Sequence, residues 1–133
     1  MTALTPPKVH YTFKKLNFKK TKNIFAEIFE NIQAFIDDLI IQIDMKKMGL
    51  LHTHCLPDTD LNRKKDIVGY SFCQFIETSS IVGHICETSR TLYLDVFSCK
   101  SFDADIVKNV VIKYFGGAIR NEQMLVRDAN FCS

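Results

Sequence analysis

The sequence predicts an α+β fold, a two-layer sandwich in which an antiparallel sheet carries two helices packed on one face. Three observations lead there. An apolar stripe at helical spacing runs from Phe25 to Ile43, three β-prone segments follow one another between residues 67 and 98, and a second amphipathic stretch begins at Asp103 and stops at Gly116-Gly117. Nothing in the 133 residues divides the chain, and 47% hydrophobic residues suffice to bury a core, so a single domain over residues 1–133 is expected.

The elements follow in order. Residues 1–7, with Pro6-Pro7, read as a loose leader, and His10-Tyr11-Thr12-Phe13 as a short first strand. The first helix carries Phe25, Ile28, Phe29, Ile32, Phe35, Ile36, Leu39, Ile40 and Ile43 on one face, with Glu27, Glu30, Asp37 and Gln42 outside it. Gly49 reads as its end. Leu50–Leu56 reads as a strand stopped by Pro57-Asp58, and the polar run Thr59–Asp66 as a loop. Ile67–Ile76, Ser80–Cys86 and Thr91–Ser98 are β-branched and aromatic segments separated by short polar breaks, as adjacent antiparallel strands are. The second helix takes Asp103 as its cap and turns Ile106, Val107, Val110, Val111 and Tyr114 inward. Ala118–Arg127 returns as a last strand.

Charge names no partner. Seventeen basic and 15 acidic residues leave a net +2, and the Lys14–Lys22 stretch reads as a solvated face, so no nucleic acid is expected. Asp37, Asp38 and Asp44 interrupt the longest apolar run, which excludes a membrane helix there. Five cysteines, Cys55, Cys73, Cys86, Cys99 and Cys132, make an odd count without a CxxC pair, and Met1-Thr2-Ala3-Leu4 opens no signal-peptide pattern. A reduced, cytoplasmic setting is expected. His52 and His54 alternate onto one strand face as two metal ligands would, but no third ligand stands at a known spacing, and no metal is expected.

Four residues in the central strands can carry chemistry: Ser71 in Tyr70-Ser71-Phe72, Ser79 in Glu77-Thr78-Ser79-Ser80, His84 in Val82-Gly83-His84, and Cys99 closing Asp95-Val96-Phe97-Ser98-Cys99. Singly, each has a plain structural explanation as a turn former, a strand histidine or a small hydrophobe. Together they resemble the short bacterial and archaeal S-adenosylmethionine decarboxylase proenzymes, in which a processing serine precedes a histidine and then an Asp-Val-Phe-Thr-Cys segment. Ser71 stands eight residues before Ser79, Ser79 five before His84, and His84 fifteen before Cys99, the family's spacing without a gap. The resemblance covers roughly residues 8–127.

The resemblance implies that Ser79 attacks the carbonyl of Thr78, cutting the chain into residues 1–78 and 79–133 and leaving a covalent pyruvoyl group, the cofactor, made from Ser79. It implies that His84 removes the α-proton in that conversion, that Ser71 assists by hydrogen bonding, and that Cys99 is the general acid of decarboxylation. The substrate would be S-adenosylmethionine, the product would supply the aminopropyl donor of spermidine synthesis, and the processed protomers would pair as homodimers. If alternation held from residue 71 to 79, Ser71 and Ser79 would share a face.

The sequence departs from the family pattern in three places. Thr78 stands where glutamate is common, Ser80 where histidine is common, and Ile85-Cys86-Glu87-Thr88 replaces Thr-Trp-Pro-Glu, leaving Glu87, the candidate ribose-binding residue, one place out of register. Two alternatives follow. One is pyruvoyl chemistry on a simple amino acid such as arginine or ornithine; the other is an uncleaved, non-catalytic relative that keeps the fold.

Overall fold

The computed structural model describes residues 3–5, 8–12 and 24–127. The apolar stripe forms a long helix, α1, after two short strands, β1 (Ala3–Thr5) and β2 (Lys8–Thr12). Helix α1 spans Ile24–Gln42; Ile32, Phe35, Ile36, Leu39 and Ile40 are buried, while Asn31, Ala34, Ile41 and Gln42 face water. It does not run on to Gly49. The Met45 N–H donates to the Ile40 carbonyl at 2.9 Å and the Asp44 N–H to the Ile41 carbonyl at 3.1 Å, with Asp44 left-handed at φ 55. This is a Schellman ending with aspartate in the place that glycine usually takes.

The link after α1 folds back along the sheet. The Met48 N–H donates to the Phe75 carbonyl and the Glu77 N–H to the Lys46 carbonyl, each at 2.9 Å. Buried Gln74 holds the same link, its Nε2 reaching the carbonyls of Gly49 at 3.1 Å and Phe75 at 2.8 Å. Beyond the link come β3 (His52–Leu56), a short helix α2 (Asp60–Lys64), then β4 (Gly69–Ile76), β5 (Ser79–Cys86) and β6 (Thr91–Phe97). Helix α3 (Ala104–Phe115) and two short strands, β7 (Ala118–Asn121) and β8 (Leu125–Arg127), complete the described chain.

Six strands form one antiparallel sheet in the order β3-β4-β5-β6-β2-β7. Its two faces differ because side chains alternate along each strand. Tyr70, Phe72, Gln74 and Ile76, then Ile81, Gly83 and Ile85, then Leu92, Leu94 and Val96, are buried beneath the helices. Ser71, Cys73, Phe75, Val82, His84, Tyr93 and Asp95 lie on the opposite face, half-buried or exposed. Phe35 of α1 joins the layers, its ring 6.5 Å from Phe72, 5.9 Å from Tyr114 and 5.0 Å from Phe115. The ring of Phe72 fills the space above Gly83, where an added Cβ would stand 2.3 Å from Cζ. Helix α3 starts on the Asp103 cap, whose carboxylate accepts the Asp105 N–H at 2.9 Å, and ends at Gly116, φ 64. The predicted two-layer α+β arrangement is the one observed.

Three local expectations change. Ala3–Thr5 is not leader but strand β1, paired with β8 in a separate two-stranded sheet. The stretch expected as one strand over residues 118–127 is therefore two strands in different sheets. Thr59–Asp66 holds helix α2, capped by the Thr59 hydroxyl accepting the Asn62 N–H at 3.2 Å; it buries no residue, so no apolar stripe announced it. Met1, Thr2, Pro6-Pro7, Phe13, Lys14–Lys22 and Cys132 lie outside the described residues. Among the described residues, no helix is long and apolar enough to cross a membrane.

Candidate functional site

Strands β4 and β5 are joined through Glu77 and Thr78 alone, since Ile76 pairs directly with Ser79. A two-residue turn commonly needs positive φ at a central position, which glycine or asparagine adopts at little cost. Here Thr78 takes it, at φ 62. A β-branched side chain in that region carries strain of about 1–3 kcal/mol. The strain sits on the residue whose carbonyl precedes Ser79.

The end of β6 supplies the next contacts. Ser80 pairs with Phe97, which brings residues 98–100 beside the turn. The Cys99 backbone N–H donates to Ser79 Oγ at 3.0 Å, and the Cys99 thiol points at the Thr78 carbonyl oxygen, 3.5 Å from Sγ. One residue thus touches both the hydroxyl and the carbonyl on either side of the Thr78–Ser79 bond. An adjoining cavity of about 460 Å³ is lined by Asp44, Met45, Lys46, Glu77, Thr78 and Lys100. Lys100 Nζ reaches both the backbone oxygen of Asp44, at 2.7 Å, and its carboxylate, at 2.8 Å; this lysine holds the Asp44 carboxyl below the usual carboxylate range.

Ser71 and His84 form a second pair. They face each other across β4 and β5 on the sheet's open face, with Ser71 Oγ 2.8 Å from His84 Nδ1. His84 Nε2 is buried, with no hydrogen-bond partner of good geometry among the described residues. Burial pushes the His84 pKa below the ordinary histidine value, the nearby Ile67 backbone acting weakly in the other direction. The imidazole is therefore neutral near pH 7.

Within one chain the two pairs stay apart. Ser79 and His84 are separated by five residues of extended strand, roughly 16 Å. They also differ in face, because directly opposed residues share one: Ser79 opposes buried Ile76, whereas His84 opposes Ser71. The alternation that would have aligned Ser71 with Ser79 ends at Ile76, where the chain turns. Glu87 lies just beyond β5, at the His84 end, its N–H on the Val68 carbonyl at 2.8 Å. Burial, with Asp58 nearby, raises its carboxyl pKa above the usual range.

His52 and His54 of β3 oppose Cys73 and Ser71, and the His52 ring meets Phe75 at 6.4 Å. Among the described residues no three His, Cys, Asp or Glu side chains gather as a metal site would require. Cys55, Cys73, Cys86 and Cys99 are free thiols. Sequence reasoning passed over Ser98, which is fully buried directly beside Cys99. Its signal was available: it continues the inward alternation of Leu94 and Val96, and a serine at such a position must find hydrogen-bond partners inside.

Comparison with known proteins bears on this arrangement. Curated protein sequences give no match. Among solved structures, the crystal structure of the adenosylmethionine decarboxylase from Aquifex aeolicus VF5 superposes with a TM-score of 0.60 at 13% identity, covering 94% of this chain and 88% of that one. That likeness concerns the fold. The sequence profile of S-adenosylmethionine decarboxylase matches residues 16–128, a span that includes the strained turn and both residue pairs. The chain belongs to the S-adenosylmethionine decarboxylase family.

Proposed function

We propose that the chain is a self-processing decarboxylase of S-adenosylmethionine, cut between Thr78 and Ser79. The observation that carries this reading is the convergence on one peptide bond of a left-handed Thr78, the Cys99 amide on Ser79 Oγ and the Cys99 thiol on the Thr78 oxygen. A serine hydroxyl is a weak nucleophile without such help. The amide stabilises negative charge as it develops on Oγ, and the thiol polarises the carbonyl under attack. As the bond from Oγ to the Thr78 carbon forms and the peptide C–N bond breaks, the hydroxyl proton passes to the Ser79 nitrogen, leaving an ester. Removal of the Ser79 α-proton then expels the Thr78 carboxylate from Cβ. The dehydroalanine so formed takes a proton at its β-carbon as its nitrogen gives one up, and water then replaces the nitrogen of the resulting imine, releasing ammonia and leaving pyruvoyl at the head of residues 79–133.

These residues fit formation of the group at position 79. When present, a pyruvoyl carbonyl supplies the electron sink that decarboxylation of an α-amino acid requires. Cys99, at that position already, returns a proton to the substrate's α-carbon. Neutral His84, steadied by Ser71, accepts the Ser79 α-proton, and Glu87 at the same end contacts the ribose hydroxyls. The product supplies the aminopropyl donor for spermidine synthesis.

The separation of the two pairs within one chain supports a reading in which a homodimer shares these roles between its copies. The open face presents Phe75, 54% exposed, Val82, 43%, and Tyr93, 50%, around the Ser71–His84 pair. A second copy whose Ser71 and His84 reach the first copy's β4–β5 hairpin end, where Ser79 and Cys99 lie, completes both sites at once by two-fold symmetry. The test is intact mass of freshly purified protein beside Ser79→Ala. Fragments ending at Thr78 and beginning at a converted Ser79, in the wild type alone, are expected. An uncut wild type would sink the mechanism and favour the non-catalytic relative.

A further inference from the structure

Contact between Cys99 and Ser79 depends on how residues 98–100 are held, and that hold is built around Ser98. Strand β6 ends at Phe97, and Ser98 turns into the interior with no exposed surface. Its hydroxyl donates to the Lys100 carbonyl at 2.7 Å and accepts the Lys100 N–H at 2.9 Å, with Met45 Sδ 3.8 Å away. Both backbone groups of the residue after Cys99 are thus tied to the side chain of the residue before it. From the solvent side, Lys100 Nζ ties the same loop to the Schellman turn that ends α1, through the Asp44 backbone oxygen and carboxylate. Cys99 sits between these ties. Its N–H direction is set by a loop tied on both its buried and its solvent side.

We propose that Ser98 is the positioning residue for chain cleavage: its hydroxyl fixes the Ser98–Cys99–Lys100 loop so that the Cys99 amide meets Ser79 Oγ. The proposal rests on the self-processing reading and names a residue that touches neither reacting atom. The hydroxyl matters here through geometry. As Oγ gives up its proton and begins its attack on the Thr78 carbon, the amide has to stay within about 3 Å of Oγ, on which negative charge develops before the bond is made. A displacement of about 1 Å costs on the order of 100-fold in rate.

The experiment is a cleavage time course on full-length chain made by cell-free translation, scored by intact mass, for wild type, Ser98→Ala, Ser98→Thr and Ser98→Val. Threonine and valine have the same shape and differ in the hydroxyl, so their ratio reports the hydroxyl and not the volume. Ser98→Thr is expected to cleave within about threefold of wild type, and Ser98→Ala and Ser98→Val roughly 10- to 100-fold more slowly. Melting of the same substitutions in a Ser79→Ala background, where no cleavage intervenes, tells whether each variant is folded. Equal rates for Thr and Val would overturn the proposal. So would Ala and Val variants that fail to fold, since Ser98 would then serve the core alone. An uncut wild type brings down the self-processing reading and this one with it, whereas a wild type that cuts beside an equally fast Ser98→Val brings down this one alone.

Discussion

His84 works in a setting that keeps it uncharged. Burial lowers its folded pKa below the unfolded value of about 6.5, so the unfolded chain binds the proton more readily as pH falls. The stability this contributes is complete above about pH 6.5 and is lost as pH drops from there through the folded pKa. Chemical denaturation from pH 8 to 5 should show this loss in the wild type and a smaller one in His84→Gln; equal losses would remove His84 from the account. Cys99 divides differently, because its backbone N–H and its thiol face different atoms. Cys99→Ala keeps the amide on Ser79 Oγ, so cleavage should persist within about tenfold, whereas decarboxylation by the processed protein should fall about 100- to 10,000-fold. Release of carbon dioxide from carboxyl-labelled S-adenosylmethionine, measured beside the cleavage time course, separates the two. At this scale the chain was partly legible. Ser71, Ser79, His84 and Cys99 were singled out by their resemblance to the family's motif, and the structure brings them into two close pairs. Their grouping, Ser71 with His84 and Ser79 with Cys99, depends on register and turn position, which spacing along the chain does not encode.

The β4–β5 hairpin stores strain where the proposed chemistry needs it. Thr78→Gly removes the β-branched side chain from a left-handed position. In a Ser79→Ala background it should stabilise the uncut chain by about 1 kcal/mol, seen as a higher melting temperature, while with Ser79 intact it should slow cleavage several-fold. Faster cleavage in the glycine variant would mean that the turn's strain does not drive the cut. The other elements show why sequence patterns reach some features and miss others. Helices α1 and α3 were visible because each buries a continuous apolar face, and β4, β5 and β6 because each alternates. Helix α2 buries nothing and rests on a threonine cap, the end of α1 uses Asp44 where glycine would be expected, and β1 and β8 are short strands that depend on partners far along the chain. Periodicity reports burial, so elements held by caps and distant pairing escape it.

Among the described residues, one sheet face is covered by helices and one is open, and the proposed dimer assigns a second copy to the open side. Ser79→Ala and His84→Ala chains, each inactive alone, should regain up to about half of a wild-type dimer's activity per mixed dimer when produced together, because one of the two symmetric sites is then intact. No recovery would place all four residues in a single chain. The proposed cleavage after residue 78 would have another consequence, set by strand order. The upstream piece contributes β2, β3 and β4 and the downstream piece β5, β6 and β7, yet β2 lies between β6 and β7, and β1 pairs with β8. The pieces interleave, and β4 and β5 remain joined through all eight register pairs after the cut. The cut protein is therefore a knit of two strands of yarn with no bond between them: it holds while folded, but once unravelled its parts must find each other in solution. Refolding yield from denaturant should fall with dilution far more steeply for the cut protein than for Ser79→Ala. On the proposed reading, folding has to precede the cut, because the fragments rebuild this assembly poorly.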